Sequence, residues 1–305
     1  LAKKDSDAVK YKEKVLRAVK KKLNGLEKAE NKDEESIAEQ KKNMREVGKR
    51  DMKAREIYKA IDEIAPFEVH ASYDNPGFLV GDENADINFA LVSLDITPEV
   101  INEAKAIGAQ MIISHHPVIF RPLKNIHPEN PVYGLMKNGL CAICAHTNLD
   151  CANGGVNDLL IRLVGVEGDI EILYDGEGLP IGRMGTLSRA TDIHNYAIKV
   201  KHALTANCVR YADAEKAVKK VAVIGGAGAD DIENALKAGA DTFVTGDVKY
   251  HQFLDAKNIG INLIDAGHFS TENPVVQALR DKLSERLPEV RFEVSSVHTD
   301  SILTV

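Results

Sequence analysis

Nowhere in this 305-residue sequence do apolar residues run together for the roughly 18 positions that a membrane-spanning helix needs, so no such helix is expected. No charged, apolar, small-residue signal segment opens the chain either, and a cytoplasmic location follows as the expectation. Cysteine is scarce: Cys141, Cys144, Cys151 and Cys208 are too few to form a disulfide framework in a chain of this length, and they fit a reducing compartment. Cys141 and Cys144 have C-x-x-C spacing, but they lie in G-L-C-A-I-C-A, an apolar run that predicts a strand. Residues three apart on a strand point to opposite faces, so small buried thiols are expected there rather than a metal or redox pair. Positive charge is also lacking. The net charge is −7, residues 1–51 hold sixteen Lys or Arg against eleven Asp or Glu, and the remainder therefore carries −12. An acidic body of that kind is not built to coat nucleic acid.

What is present is enough apolar material, 44% of residues, for a proper core. The chain opens on Leu1 and not Met, which suggests a product cut from, or part of, something longer. Over residues 1–51, Val9, Leu16, Val19, Leu23, Leu26, Ile37, Met44 and Val47 recur at helical spacings among charged neighbours. That pattern predicts one or two amphipathic helices, or a coiled-coil hairpin turning near Asn31 to Asp33. The segment resembles the C-terminal helices of bacterial tRNA adenine N1-methyltransferases, which would link it to tRNA modification; a solvated extension packed on the body is the other reading.

From Met52 helical and strand-like pieces alternate, which predicts an α/β fold. Helices are expected at Ala54–Ala65, Pro98–Ile107, Asn157–Val164, Thr191–Thr205, Asp230–Lys237, Lys249–Ala256 and Asn273–Glu285. Strands are expected at Asn88–Leu94, Gln110–Ser114, Leu140–Ala145, Val221–Ile224, Thr242–Val244 and Asn262–Ile264. The sequence also repeats itself. A-K-A-I-G-A-Q-M-I-I-S (Ala104–Ser114) lies over A-L-K-A-G-A-D-T-F-V-T (Ala235–Thr245), and G-L-C-A-I-C-A-H-T-N-L-D (Gly139–Asp150) lies over G-I-N-L-I-D-A-G-H-F-S-T-E (Gly260–Glu272) when Gly267 counts as one extra residue. We therefore expect two pseudo-symmetric α/β half-domains, roughly 52–168 and 206–305, joined by 169–205 and facing one another across a cleft.

Chemistry concentrates at the strand ends. Met111–Phe120, M-I-I-S-H-H-P-V-I-F, is a buried-strand pattern closing on two adjacent histidines, and open α/β sheets place their chemistry at such tips. Each half then carries a strand followed by His-x-x-x-carboxylate, His146 with Asp150 and His268 with Glu272. His115, His116, Asp150, His268 and Glu272 form an imidazole and carboxylate set suited to zinc, manganese, iron, cobalt or nickel, and too rich in nitrogen for calcium or magnesium. Five ligands exceed the usual three of a mononuclear catalytic site and predict two ions sharing a carboxylate. Asp95, Asp247 and His251 sit at other strand ends as cleft candidates, although Asp247 also fits a helix cap. V-A-V-I-G-G-A-G-A-D-D (Val221–Asp231) is a strand, a glycine-rich turn and a helix start. It could cradle a phosphate, but it lacks the dinucleotide fingerprint and the P-loop lysine, and a tight turn accounts for its glycines.

S-H-H-P-V-I-F, A-H-T-N-L-D, T-G-D-V-K-Y-H, D-A-G-H-F-S-T-E and Y-D-N-P-G-F-L-V-G together resemble the Nif-three-like family, the GTP cyclohydrolase I type 2 homologues, over residues 52–305. The resemblance implies a dinuclear site held by His115, His116, Asp150, His268 and Glu272, with zinc the first choice of metal, and leaves His146 to orient a neighbour. It further implies a homo-oligomer, a ring-shaped hexamer built from dimers. Y-D-N-P-G stands where relatives more often carry tryptophan, a residue this chain lacks entirely. Two functions follow as expectations. One is a metal-dependent hydrolase acting on a nucleotide or related small molecule through metal-activated water, and the other is a non-enzymatic metal-binding regulator or assembly partner.

Overall fold

The computed structural model describes residues 52–305, which form a unit of their own. The helical extension expected over residues 1–51, and its methyltransferase resemblance, lie outside the described residues. β1 (Met52–Lys53) runs directly into α1 (Ala54–Ile64), whose buried residues Ala54, Ile57, Ala60, Ile61 and Ile64 fall three or four apart and so share one face. The helix stops at Ala65 because Pro66 disfavours the α conformation in the residue before it. β2 (Gly77–Val80), β3 (Asp86–Ile87), β4 (Phe89–Ser93) and α2 (Pro98–Ile107) follow. The ends of α2 are set by its sequence: the Thr97 side chain accepts a hydrogen bond from the Val100 amide, Pro98 occupies the first turn, and Gly108 closes the helix at φ 78°. β5 (Met111–Ser114), α3 (Pro131–Lys137), β6 (Cys141–Cys144), α4 (Thr147–Cys151) and α5 (Val156–Leu163) complete this stretch.

The chain continues through β7 (Ile170–Leu173), β8 (Gly182–Thr191), α6 (Ile193–Ala203), β9 (Arg210–Ala212) and β10 (Val218–Val223). A single 3-10 turn at Ala229–Asp231 leads into α7 (Ile232–Lys237), then β11 (Thr242–Thr245), α8 (Tyr250–Ile259) and β12 (Asn262–Asp265). α9 (His268–Glu272), α10 (Pro274–Arg286) and β13 (Arg291–Val294) end it.

Two main sheets result, one of five strands in the order β13-β4-β5-β6-β2 and one of six in the order β7-β8-β10-β11-β12-β9. In the first, β4, β5 and β6 are parallel and β2 runs antiparallel to β6; in the second, β10, β11 and β12 are parallel and β9 runs antiparallel to β12. The letter-by-letter repeat in the sequence is therefore a repeat of architecture. Every residue of β4, β5 and β6 is buried, which is what a parallel sheet with both faces covered requires. Cys141 and Cys144 are buried in β6, and all four thiols are free.

The partition into halves differs from the expectation in two places. Residues 169–205 are no joint: β8 pairs with β10, and Leu187, Ile193, Tyr196, Ala197 and Val200 fill the core of the second sheet. The C-terminal residues, expected in the second half, return to the first. β13 pairs in parallel with β4, closing an edge that would otherwise present unpaired backbone groups, and Val275, Val276, Leu279, Leu283 and Phe292 join Ile57 and Ile61 in one core. Truncating Ile57 or Ile61 to alanine would cost about 2–5 kcal/mol, the range for large-to-small changes in a close-packed interior.

Candidate metal centre

The parallel strands of both sheets deliver polar residues at their C-terminal tips. His115 and His116 follow β5, His146 follows β6, and His268 follows β12 after the short link Ala266–Gly267. The one-turn helices α4 and α9 place Asp150 and Glu272 back over those tips. All five residues singled out as ligand candidates meet here. The Glu272 carboxylate is at the middle: Oε2 lies 2.9 Å from His116 Nε2 and 3.0 Å from His268 Nε2, and Oε1 lies 3.8 Å from His115 Nε2. Asp150 Oδ1 is 3.6 Å from His115 Nε2, and the His116 and His268 Nε2 atoms are 3.2 Å apart. Two triads, His115/Asp150/Glu272 and His116/His268/Glu272, each bring their ligand atoms within 4.8 Å of one another.

Every imidazole is turned by a partner on Nδ1. His115 Nδ1 donates to the Ala145 carbonyl at 2.9 Å. The Nδ1 atoms of His116, His146 and His268 lie 2.7, 2.7 and 2.8 Å from carboxylate oxygens of Asp95, Asp74 and Asp247. With Nδ1 occupied, Nε2 is the atom left to face the cluster, which is how metal-binding histidines are oriented. Asp95 uses its second oxygen on His298 Nε2 at 2.9 Å, and Asp74 accepts from the Thr147 amide and hydroxyl at 3.1 and 2.5 Å.

Burial makes the arrangement costly unless a cation joins it. His115 Nε2 and Asp150 Oδ1 are buried with no hydrogen-bond partner. Burial, and then the neighbouring Glu272 charge, push the Asp150 carboxyl well above its usual range. Burial opposes ionisation of Glu272 too, but the facing His115 imidazole and the close His116 and His268 rings outweigh it and hold that carboxyl well below the usual range. Burial depresses His115. Burial works the same way on His116 and His268, yet their carboxylate partners overcome it and push them up to about 10 and about 9. Two carboxylates, three inward imidazole nitrogens and two orphaned buried atoms fit a divalent cation, which would meet the unpaired atoms and remove the repulsion between Asp150 and Glu272. The cluster can hold a metal ion.

Glycine makes room for it. Gly226, at φ 64°, lies against Glu272 so closely that a Cβ would fall 2.0 Å from Oε1 and 3.1 Å from His268 Nε2. A Cβ at Gly246, the residue after β11, would lie 2.7 Å from the His268 backbone nitrogen. The glycine-rich turn after β10 is thus a wall of this site and not a phosphate cradle. Its amides are already engaged, Gly225 by Asn157, Gly226 by Thr271 and Gly228 by Thr245.

The remaining candidates sort as follows. Asp95 and Asp247 both belong to the centre through histidine. Asp247, at φ 53°, is not the cap of α8, since Lys249 holds that position. His251 is exposed on α8, beside Asp230 and Asp255. His146 pairs with Asp74 and not with Asp150, while its ring lies 5.2 Å from that of His115. Sequence reasoning missed Asp74, although it lies in the quoted Y-D-N-P-G stretch, and missed His298, for which no local pattern exists. It also missed Arg183, fully enclosed on β8, which pairs with Asp158 and donates to the carbonyls of Cys151 and Ala152 just past Asp150.

The Duf34/NIF3 (NGG1p interacting factor 3) family profile matches residues 52–301. The chain belongs to this family. A NIF3 relative from Clostridium perfringens, named GTP cyclohydrolase 1 type 2 homolog, is 37% identical over 258 residues, covering 82% of this chain and 98% of the relative. The Bacillus cereus protein related to NIF3 superposes with a TM-score of 0.77 at 25% identity over 83% of this chain and 99% of its own. A Staphylococcus aureus hypothetical protein superposes with a TM-score of 0.75 at 28% identity over 84% and 100%. NIF3 membership thus rests on sequence and fold together. Among the described residues no helix is long and apolar enough to cross a membrane.

Proposed function

We propose that the protein binds two divalent transition-metal ions at this centre and uses them to hydrolyse a nucleotide or related small molecule. The observation that carries the reading is the position of Glu272, one oxygen toward His116 and His268 and the other toward His115, beside Asp150. One carboxylate shared between two triads is the arrangement of a two-ion site. The mixed nitrogen and oxygen donors favour zinc first, then iron, manganese, cobalt or nickel.

Bound there, such ions would supply Lewis acidity and a water activated for attack near neutral pH. The chain's own residues orient and enclose. Asp95, Asp247 and the Ala145 carbonyl fix the rings. Tyr73 and Phe120, with ring centroids 6.3 Å apart, stand beside His146, whose centroid is 6.3 Å from that of Phe120. His146, braced by Asp74 and facing the cluster, is placed to give or take a proton. The nucleotide part of the reading is supported by the name that the relatives carry.

Elemental analysis combined with turnover assays on GTP and other nucleotides, with and without added zinc, tests this reading. Two ions per chain and metal-dependent turnover are expected. A fully loaded protein that turns nothing over would replace the hydrolase with a metal-binding regulator or assembly partner, and metal-free native protein would overturn both. The homo-oligomer, a hexamer built from dimers, belongs to the same proposal. Exposed Phe120, Leu123, Ile126, Tyr133 and Met136 along one stretch support a partner surface, and light scattering reporting a monomer at micromolar concentration would remove it.

A further inference from the structure

The segment after β13 belongs to neither sheet, yet it is tied down at successive points. Ser295 and Ser296 donate three hydrogen bonds to the Glu103 carboxylate on α2, at 2.5 to 2.8 Å counting both hydroxyls and the Ser296 amide, once Ser295 has donated its own amide to Val92. Further along, Asn207 of the second half donates to Asp300 and to the Ile302 carbonyl, both at 3.4 Å. Between these anchors lies His298, its side chain 8% exposed. Its Nε2 lies 2.9 Å from Asp95 Oδ2, its ring stacks on Phe269 with centroids 5.5 Å apart, and its Nδ1 is buried without a partner.

Those two contacts reach both halves of the centre. Asp95 holds His116, and Phe269 is the residue after His268. The Asp95 side chain is 40% exposed, so with His116 as its sole partner it could rotate toward water and release the ring. Engaging its second oxygen removes that freedom. We propose that His298 is a positioning residue of the metal centre: by fixing Asp95 it fixes the His116 imidazole, and the C-terminal segment is the strap that holds it there. This rests on the two-ion reading above, and it assigns a distant, non-ligating residue to one of the two ions.

The test is a zinc titration against a competing chelator on the full-length protein and its His298→Leu and His298→Gln variants, with thermal melting of the metal-stripped forms. Changes beyond the ligands commonly weaken metal binding by about 10–100-fold, and the low end of that range is expected here for one ion in His298→Leu, with the other ion unchanged. Gln can donate to Asp95 from a similar position and should restore most of the loss. Asn207→Ala, which loosens the strap without touching the buried ring, should weaken the same ion by less, and it carries the test should the Leu variant not fold. Unchanged affinity for both ions in His298→Leu, equal weakening of both, or no rescue by Gln would each overturn the positioning role. Wild-type protein that holds fewer than two ions would overturn the two-ion reading itself, and this inference with it.

Discussion

The two halves are the same device with its parts redistributed. In each, three parallel strands and an antiparallel neighbour carry two loaded tips. At the tip of β5 stand His115 and His116, and at the equivalent tip of β11 stand Gly246 and Asp247. Where the first half has an imidazole, the second has no side chain at all, because a Cβ there would strike the backbone of His268. Where the first half has its next imidazole, the second has the carboxylate that turns His268. The tips of β6 and β12 show the complement: Gly267 delays the histidine by one residue, so that His268 reaches Glu272 at 3.0 Å while His146 is held by Asp74. A duplicated scaffold has become one centre because each copy gave up what the other supplies.

Glu272 is where the division should break most completely. Glu272→Ala takes an oxygen from both triads, and we expect elemental analysis to find both ions lost; a stoichiometry equal to wild type would sink the shared-carboxylate arrangement. His116→Ala should cost at least one ion. The sharper comparison is with His146→Ala, its neighbour in space but not a member of either triad that Glu272 links, which should keep the full count while activity falls.

Proton linkage gives a second comparison, between the metal-stripped and loaded protein. In the stripped form His116 and His268 are raised to about 10 and about 9, above the value near 6.5 of an unfolded histidine. Their stabilisation is fully present below about pH 6.5 and is lost as pH rises through the folded values, so the melting temperature should fall from about pH 7 to 10. The loaded protein should not share that decline, because a bound cation requires these rings deprotonated. Paired melts with and without chelator decide it, and a stripped protein that gains stability over this interval would contradict the pairing geometry. The smallest effect is expected from removing residues 1–51. A chain starting at Met52 should fold, keep its metal content and keep its oligomeric state, and an unfolded or metal-poor product would show the boundary to be wrong.

Much of this was legible in the residues. The caps of α2 follow from Thr97, Pro98 and Gly108, because these are local preferences, and the repeat made the paired tips visible before any geometry. What escaped depends on contacts between distant parts of the chain. β2, β9 and β13 are edge strands of three or four residues with weak apolar patterns, and only their partners define them. Asp74 and His298 act on histidines 72 and more than 180 positions away in sequence, so no spacing rule could announce them. In the sequence the glycines after β10 read as a tight turn with a phosphate cradle left open, because a turn that admits a phosphate and a turn that admits a carboxylate look alike until the amides are assigned.

The return of β13 to β4 also sets an order of events during synthesis. The first sheet pairs Phe89 with Arg291, so its open edge must wait for roughly two hundred residues to emerge before it can close. Contacts of such wide sequence separation form slowly and leave strand edges exposed in the interim. His115, His116 and Asp150 leave the ribosome long before Glu272 does, and in that interval they are an unfinished half-site. On the two-ion reading, ion capture would therefore be a late step in the birth of this molecule, coupled to the completion of its fold.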